Sequence, residues 1–219
     1  MNNLVVFLSV LLVVVIFYMI YSQYISTNIE TKIELDMSSQ LAEIASSSLV
    51  KPDAVVYTYK VWIYVNRPIG HSSFIFKRDK DLSLDLNGVT SVLSLTTKHT
   101  PADDKTHMIT NNFPLQKWVY VVISVDNSTI DMYLDGKLVK SVVDQHLPDR
   151  ESPITFGVNT GVFMSKFNRV LGASNPQTVW SEYLSGSGSA IGISSLANKY
   201  NINVNVLKDN VLAKSVSLW

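Results

Sequence analysis

The chain has 219 residues, its 18 Lys plus Arg are balanced by 18 Asp plus Glu, and it has no cysteine. A net charge of zero leaves no basic field to concentrate nucleic acid, so no nucleic-acid partner is expected. The missing cysteines exclude disulfides and thiolate metal sites, and fit a domain that faces a reducing compartment.

Residues 4–20, LVVFLSVLLVVVIFYMI, carry no charge, and Tyr21 and Tyr24 follow where amphipathic rings favour a membrane interface. At about 1.5 Å per residue this run reaches roughly 26 Å, enough for a thin bilayer. No Lys or Arg precedes it and no small-residue cleavage site follows, so residues 1–24 are expected to form an uncleaved transmembrane anchor rather than a signal peptide. The first basic residue is Lys32, which leaves the positive-inside rule nothing to count. Residues 25–53 are polar and serine-rich. They are expected to be a tether, with a strand near 29–35 and a helical turn near 41–44.

From Val55 the apolar period becomes two. Strands are expected at 55–66, 72–77, 82–86, 91–97 and 106–111, separated by Arg67-Pro68-Ile69-Gly70, Asn87-Gly88 and the loop 99–105. The stretch 114–140, PLQKWVYVVISVDNSTIDMYLDGKLVK, is the most informative. Its run 117–125 is apolar on both faces, as a central strand between packed layers must be. Asp126, Asn127 and Ser128 then turn the chain. Along 129–134, Ile130, Met132 and Leu134 point one way and Asp131 and Tyr133 the other. Asp135-Gly136 suits a type I′ hairpin turn, whose two central residues need positive φ, and the chain returns through 137–143. Strands at 154–158 and 162–170 and a short helix at 176–183 follow, with Asn175 as cap and Pro176 in the first helical position. Evenly spaced short strands indicate an all-β, two-sheet antiparallel sandwich or jelly roll over 54–186. In the extension 187–219, segments 202–206 and 211–218 read as a β-hairpin around Lys208-Asp209-Asn210. A lone hairpin is marginal, so it is expected to pack on the sandwich, with Trp219 as the residue that reaches a partner.

Taken in chain order, Trp62-Ile63-Tyr64-Val65, then PLQKWV at 114–119, YLDGKLV at 133–139, GVFMSKF at 161–167 and WSEYLSG at 180–186 resemble the concanavalin A-like jelly roll of laminin G or pentraxin type. An anchor ahead of such a domain is most similar to membrane-anchored lectin-like virion proteins of large double-stranded DNA viruses. The resemblance implies a two-sheet sandwich with a binding or structural role, often in a virion, and names no ligand.

Chemistry-bearing sets are sparse. Glu34-Leu35-Asp36 resembles the E-x-D start of the carboxylate motif in glucanases of this fold, and on a strand the two carboxylates would share a face. Ser39 and Gln40 stand where the acid/base glutamate falls, and glutamine cannot protonate a leaving sugar oxygen, so no catalytic residue is expected. His71, His99, His107 and His146 are scattered. Asp79, Asp81, Asp85, Asp103 and Asp104 could offer oxygen to calcium, as the resemblance implies for some laminin G and pentraxin domains, but they lack calcium-loop spacing. No metal or cofactor is expected. There is no G-x-S-x-G elbow, and Gly186-Ser187-Gly188 lacks the setting of a phosphate loop. Asn127-Ser128-Thr129 is a glycosylation sequon, relevant only in a lumenal domain. Trp62 and Trp118 are expected in the core, Trp180 to pin the helix to a sheet, and Tyr133, Asp135 and Gly136 to be structural. The binding candidates are His71, His99, Asp103, Asp104 and Trp219. The loops 67–72 and 97–105 hold no Trp or Tyr on which a sugar could stack.

These readings favour a non-enzymatic, single-pass structural or interaction protein. It would be a minor capsid-associated protein linking a virion's internal membrane, through residues 4–20, to a protein shell. The alternative is a carbohydrate-binding module displayed on a membrane or virion surface.

Overall fold

The computed structural model describes residues 11–16, 29–30, 35–98, 104–144, 148–187, 203–208 and 211–217. The period-two segments become strands close to their expected bounds. A seven-stranded antiparallel sheet runs in the order β1 (Ile29–Glu30), β12 (Val162–Leu171), β3 (Val56–Val65), β8 (Trp118–Asp126), β9 (Thr129–Leu134), β10 (Lys137–Val143), with β2 (Leu35–Asp36) also on β12. A five-stranded sheet has the order β11 (Ile154–Phe156), β4 (Ser72–Arg78), β5 (Leu82–Asn87), β6 (Val92–Thr97), β7 (Lys105–Thr110). Asp135 and Gly136 have φ of 47° and 79°, as the type I′ turn requires.

The core lies between the sheets. Alternate residues of β8 (Val119, Val121, Ile123, Val125) and of β9 (Ile130, Met132) face Ile75, Leu82, Leu84, Leu93 and Leu95 of the five-stranded sheet. The other faces of β3, β8 and β9 carry Trp62, Tyr120, Val122 and Tyr133, which form a second buried cluster with Val179 of the helix Pro176–Leu184. Both faces of β8 are therefore covered, as its unbroken apolar run demands. Asn175 Oδ1 accepts from Thr178 N at 2.8 Å and caps this helix.

The tether reading needs correction from Leu35 onward. Asp36 pairs with Phe163, Met37 N donates to Val162 O, and Ile44 exchanges both backbone hydrogen bonds with Ile154. Met37 is fully buried and Leu49 nearly so. The helical turn expected near 41–44 is replaced by that bridge and by a 3-10 turn at Ser46–Ser48. Two buried arginines fasten the end of the segment. Arg78 of β4 donates to Pro52 O at 2.7 Å, while Arg169 of β12 donates to Val50 O and Lys51 O at 3.0 and 3.3 Å. Arg78 also bonds Ser152 O and Asp149 O and pairs with Asp81, which accepts from Tyr57 Oη at 2.6 Å. A polar segment is thus held by charge-assisted bonds rather than by a continuous apolar stripe.

Residues 11–16 are helical, and among the described residues no helix is long and apolar enough to cross a membrane. The rest of the expected anchor lies outside the described residues. The C-terminal hairpin is present: β13 (Asn203–Lys208) and β14 (Val211–Ser217) form their own two-stranded sheet, and among the described residues it is hydrogen-bonded to neither of the others.

Candidate functional site

Lys60 stands in the middle of a strand of Val, Tyr, Trp and Ile, on the outer face of the seven-stranded sheet. Its side chain is 10% exposed, and its Nζ lies 2.6 Å from Glu182 Oε1 on the helix. Tyr120, one strand over, donates to the other carboxylate oxygen at 2.8 Å. Burial, then the charge of Glu182 and this hydrogen bond, hold the Tyr120 phenol well above its ordinary value. Glu182 thereby ties the helix to two strands at once.

On the neighbouring strand, the β12–β3 register shifts between Ser165 and Asn168. Within this bulge Lys166 takes a φ of 47°, a strained conformation for a side chain other than glycine. The extra residue lets Met164 and Phe167 both stay in the core while Ser165 and Asn168 pair with Trp62 and Lys60. Lys166 Nζ donates to Gly186 O at 2.9 Å and Ser165 Oγ to Ser187 O at 2.8 Å, which binds down the chain leaving the helix. Lys60, Trp62, Tyr120, Lys166, Asn168, Glu182 and Ser185 thus line a cleft of about 160 Å³ between helix and sheet. The side-chain oxygen of Asn168 is buried there without a hydrogen-bond partner.

Beside the cleft, Trp62 stacks on Tyr120 and Tyr183, with ring centroids 4.9 and 5.8 Å apart. Trp62 is buried as expected, but beneath the helix rather than between the sheets. Trp118 is half-buried, packed against the same outer cluster. Trp180 is 42% exposed and holds the helix to the sheet together with Val179 and Tyr183. It lies over the β9–β10 turn, where a Cβ on Gly136 would come within 2.7 Å of its ring. Tyr133 is buried in this cluster, and Asp135 accepts from Tyr120 N at 3.0 Å and from Lys117 Nζ at 2.6 Å.

The binding candidates expected from the sequence do not gather. His71 is exposed before β4, whereas Asp104 pairs with Lys98 at the opposite end of the five-stranded sheet. His99, Asp103 and Trp219 lie outside the described residues, as does Glu34. Asp36 is exposed on the edge strand β2. Asp81 is buried in the arginine network and Asp85 accepts from Ser83 and Thr96 hydroxyls. Among the described residues no group of three or more His, Asp or Glu could hold a metal.

The two sides of the sandwich differ. On one, the N-terminal segment covers both sheets, pairing with β12 and bridging to β11. On the other, β10 and β7 are free edges among the described residues. Buried Asp144 ties them by accepting from Thr97, from Lys105 at 3.4 Å and from His107 at 2.9 Å, and Lys140 reaches Met108 O. Leu138, Val139, Val143 and Met108 are exposed there.

Lys60, Tyr120, Lys166, Asn168 and Glu182 were not expected from the sequence. The available signal was a lysine inside each of the apolar strands VYTYKVWIYV and VFMSKFNRVL, a position that requires a buried partner.

No curated protein matches the chain. Among solved structures, the binding domain of botulinum neurotoxin DC in complex with SialylT is similar, with a TM-score of 0.53, 16% identity, and 62% of this chain and 37% of that one covered. The same domain with rat synaptotagmin II gives 0.51, 16%, 59% and 35%. Botulinum neurotoxin type C, which depends on two ganglioside molecules to enter cells, gives 0.50, 15%, 59% and 35%. This chain therefore spans about a third of the length of those structures, and the likeness is one of fold. A family model matches residues 36–188, from the β2 strand to just past the helix, and by it the chain belongs to the concanavalin A-like lectin/glucanases superfamily.

Proposed function

We propose that this chain is a non-catalytic, lectin-like binding module displayed on a membrane, with its glycan site in the cleft between the helix Pro176–Leu184 and the strands β3, β8 and β12. The observation that carries this reading is the cleft itself. Two lysines, a tyrosine hydroxyl, a carboxylate and an unmatched amide converge beside buried aromatic rings, the mixture that recognises hydroxylated ligands. Structures of the same fold that bind SialylT or depend on gangliosides support it. The membrane attachment rests on the uncharged run 4–20. The test is a glycan screen on the full chain in detergent micelles. Saturable binding to a defined glycan, weakened on Lys166→Met, is expected; absence of any saturable glycan binding sinks the reading.

A second reading, a linker between a virion's internal membrane and its capsid, is favoured by the open side of β7 and β10 with its exposed Leu138, Val139 and Val143. Residue-specific cross-links from that side to a shell protein in intact particles would support it. Cross-links confined to other faces would remove it.

A further inference from the structure

We infer that the cleft selects a sugar carrying a negative charge, a monosaccharide unit with a carboxylate or a sulfate, over a neutral one. This rests on the reading of the cleft as a glycan site and adds the class of ligand. The cleft holds two ammonium groups and one carboxylate, an excess of one positive charge. Both oxygens of Glu182 are already engaged, by Lys60 and by Tyr120, which leaves that carboxylate a poor acceptor for ligand hydroxyls. Lys60 directs one N–H to Glu182 and Lys166 directs one to the Gly186 carbonyl, while an ammonium has three. The spare capacity is thus mostly donor capacity, suited to an anionic oxygen. The buried Asn168 oxygen needs a donor, which a ring hydroxyl supplies. The cleft, of about 160 Å³, accommodates one monosaccharide unit with its charged group toward the lysines and a hydroxyl toward Asn168. The bulge places Lys166 at the cleft rim, where its ammonium is held by the Gly186 carbonyl.

The experiment titrates the full chain in detergent with glucuronate, glucose 6-sulfate and glucose, followed by NMR. At least one anionic sugar should bind about tenfold more tightly than glucose. The tighter of the two identifies carboxylate or sulfate as the recognised group. Lys166→Met should bring the anion's affinity down to that of glucose, with circular dichroism confirming the fold. Protection of Lys166 from amine acylation in the unmodified protein, by the anionic sugar and not by glucose, gives the same answer without a variant. Equal affinity for glucose and both anions, with Lys166 protected by all three, overturns the charge selection and leaves the glycan site standing. No binding of any sugar, here or in the wider screen, overturns both.

Discussion

Tyr57, Tyr59 and Tyr120 are buried with their phenols held far above the ordinary value of 10.0. Burial is the first cause for each, with Asp81 adding to the effect at Tyr57 and Tyr59 and Glu182 at Tyr120. A raised folded value means that the stability these protons contribute is fully present below pH 10 and is lost as pH rises towards the folded values. There the unfolded chain has released protons that the folded one still binds. Stability should therefore fall above pH 10 by up to about 1.4 kcal/mol per pH unit for each phenol. Denaturant midpoints between pH 9 and 12 measure the slope; titration of all ten tyrosines with ordinary values in the folded state, counted from the amplitude at 295 nm, would contradict it. Gly136 offers a second test at this scale. A side chain there meets both a positive φ and the Trp180 ring, so Gly136→Val should cost about 1–3 kcal/mol. It should also perturb the fluorescence of Trp180, and an unchanged melting curve would contradict the turn.

Among the elements, the N-terminal segment and the helix are the parts whose roles differ most between sequence and structure. Met37→Ala should destabilise the domain by about 2–5 kcal/mol, the range for emptying a buried apolar site. A free tether would give no change in the denaturant midpoint. The strands were legible because alternation repeats over six or more residues, as in Ile130, Met132 and Leu134 against Asp131 and Tyr133. The segment 35–53 was not, because it is held by single residues: Met37 and Leu49 in the core, one bridge at Ile44, and carbonyls gripped by Arg78 and Arg169. None of these makes a period. The helix was legible from Asn175 and Pro176, but its partners on the sheet were not. Lys60, Tyr120, Lys166 and Glu182 are distant in sequence and meet only after three strands pair and the helix folds across them.

At the scale of the whole molecule, removal of residues 1–24 should leave a soluble, mainly β protein that melts cooperatively, because the sandwich's own core and clamps all lie beyond it. A disordered or helix-rich spectrum by circular dichroism would contradict that independence. The pairing of β2 with β12, which closes one side of the sandwich, also sets the order in which the protein can mature during synthesis. Leu35 is made early, but its partner Met164 follows about 130 residues later. The first segment of the domain must therefore wait, unpaired, until nearly the whole sandwich has left the ribosome, a delay characteristic of folds dominated by long-range contacts. During that interval Met37, Leu49 and the unpaired backbone of the segment 35–53 are exposed to chaperones and to other nascent chains. The last strands of the sandwich to emerge convert the growing polypeptide from an adhesive intermediate into a closed module.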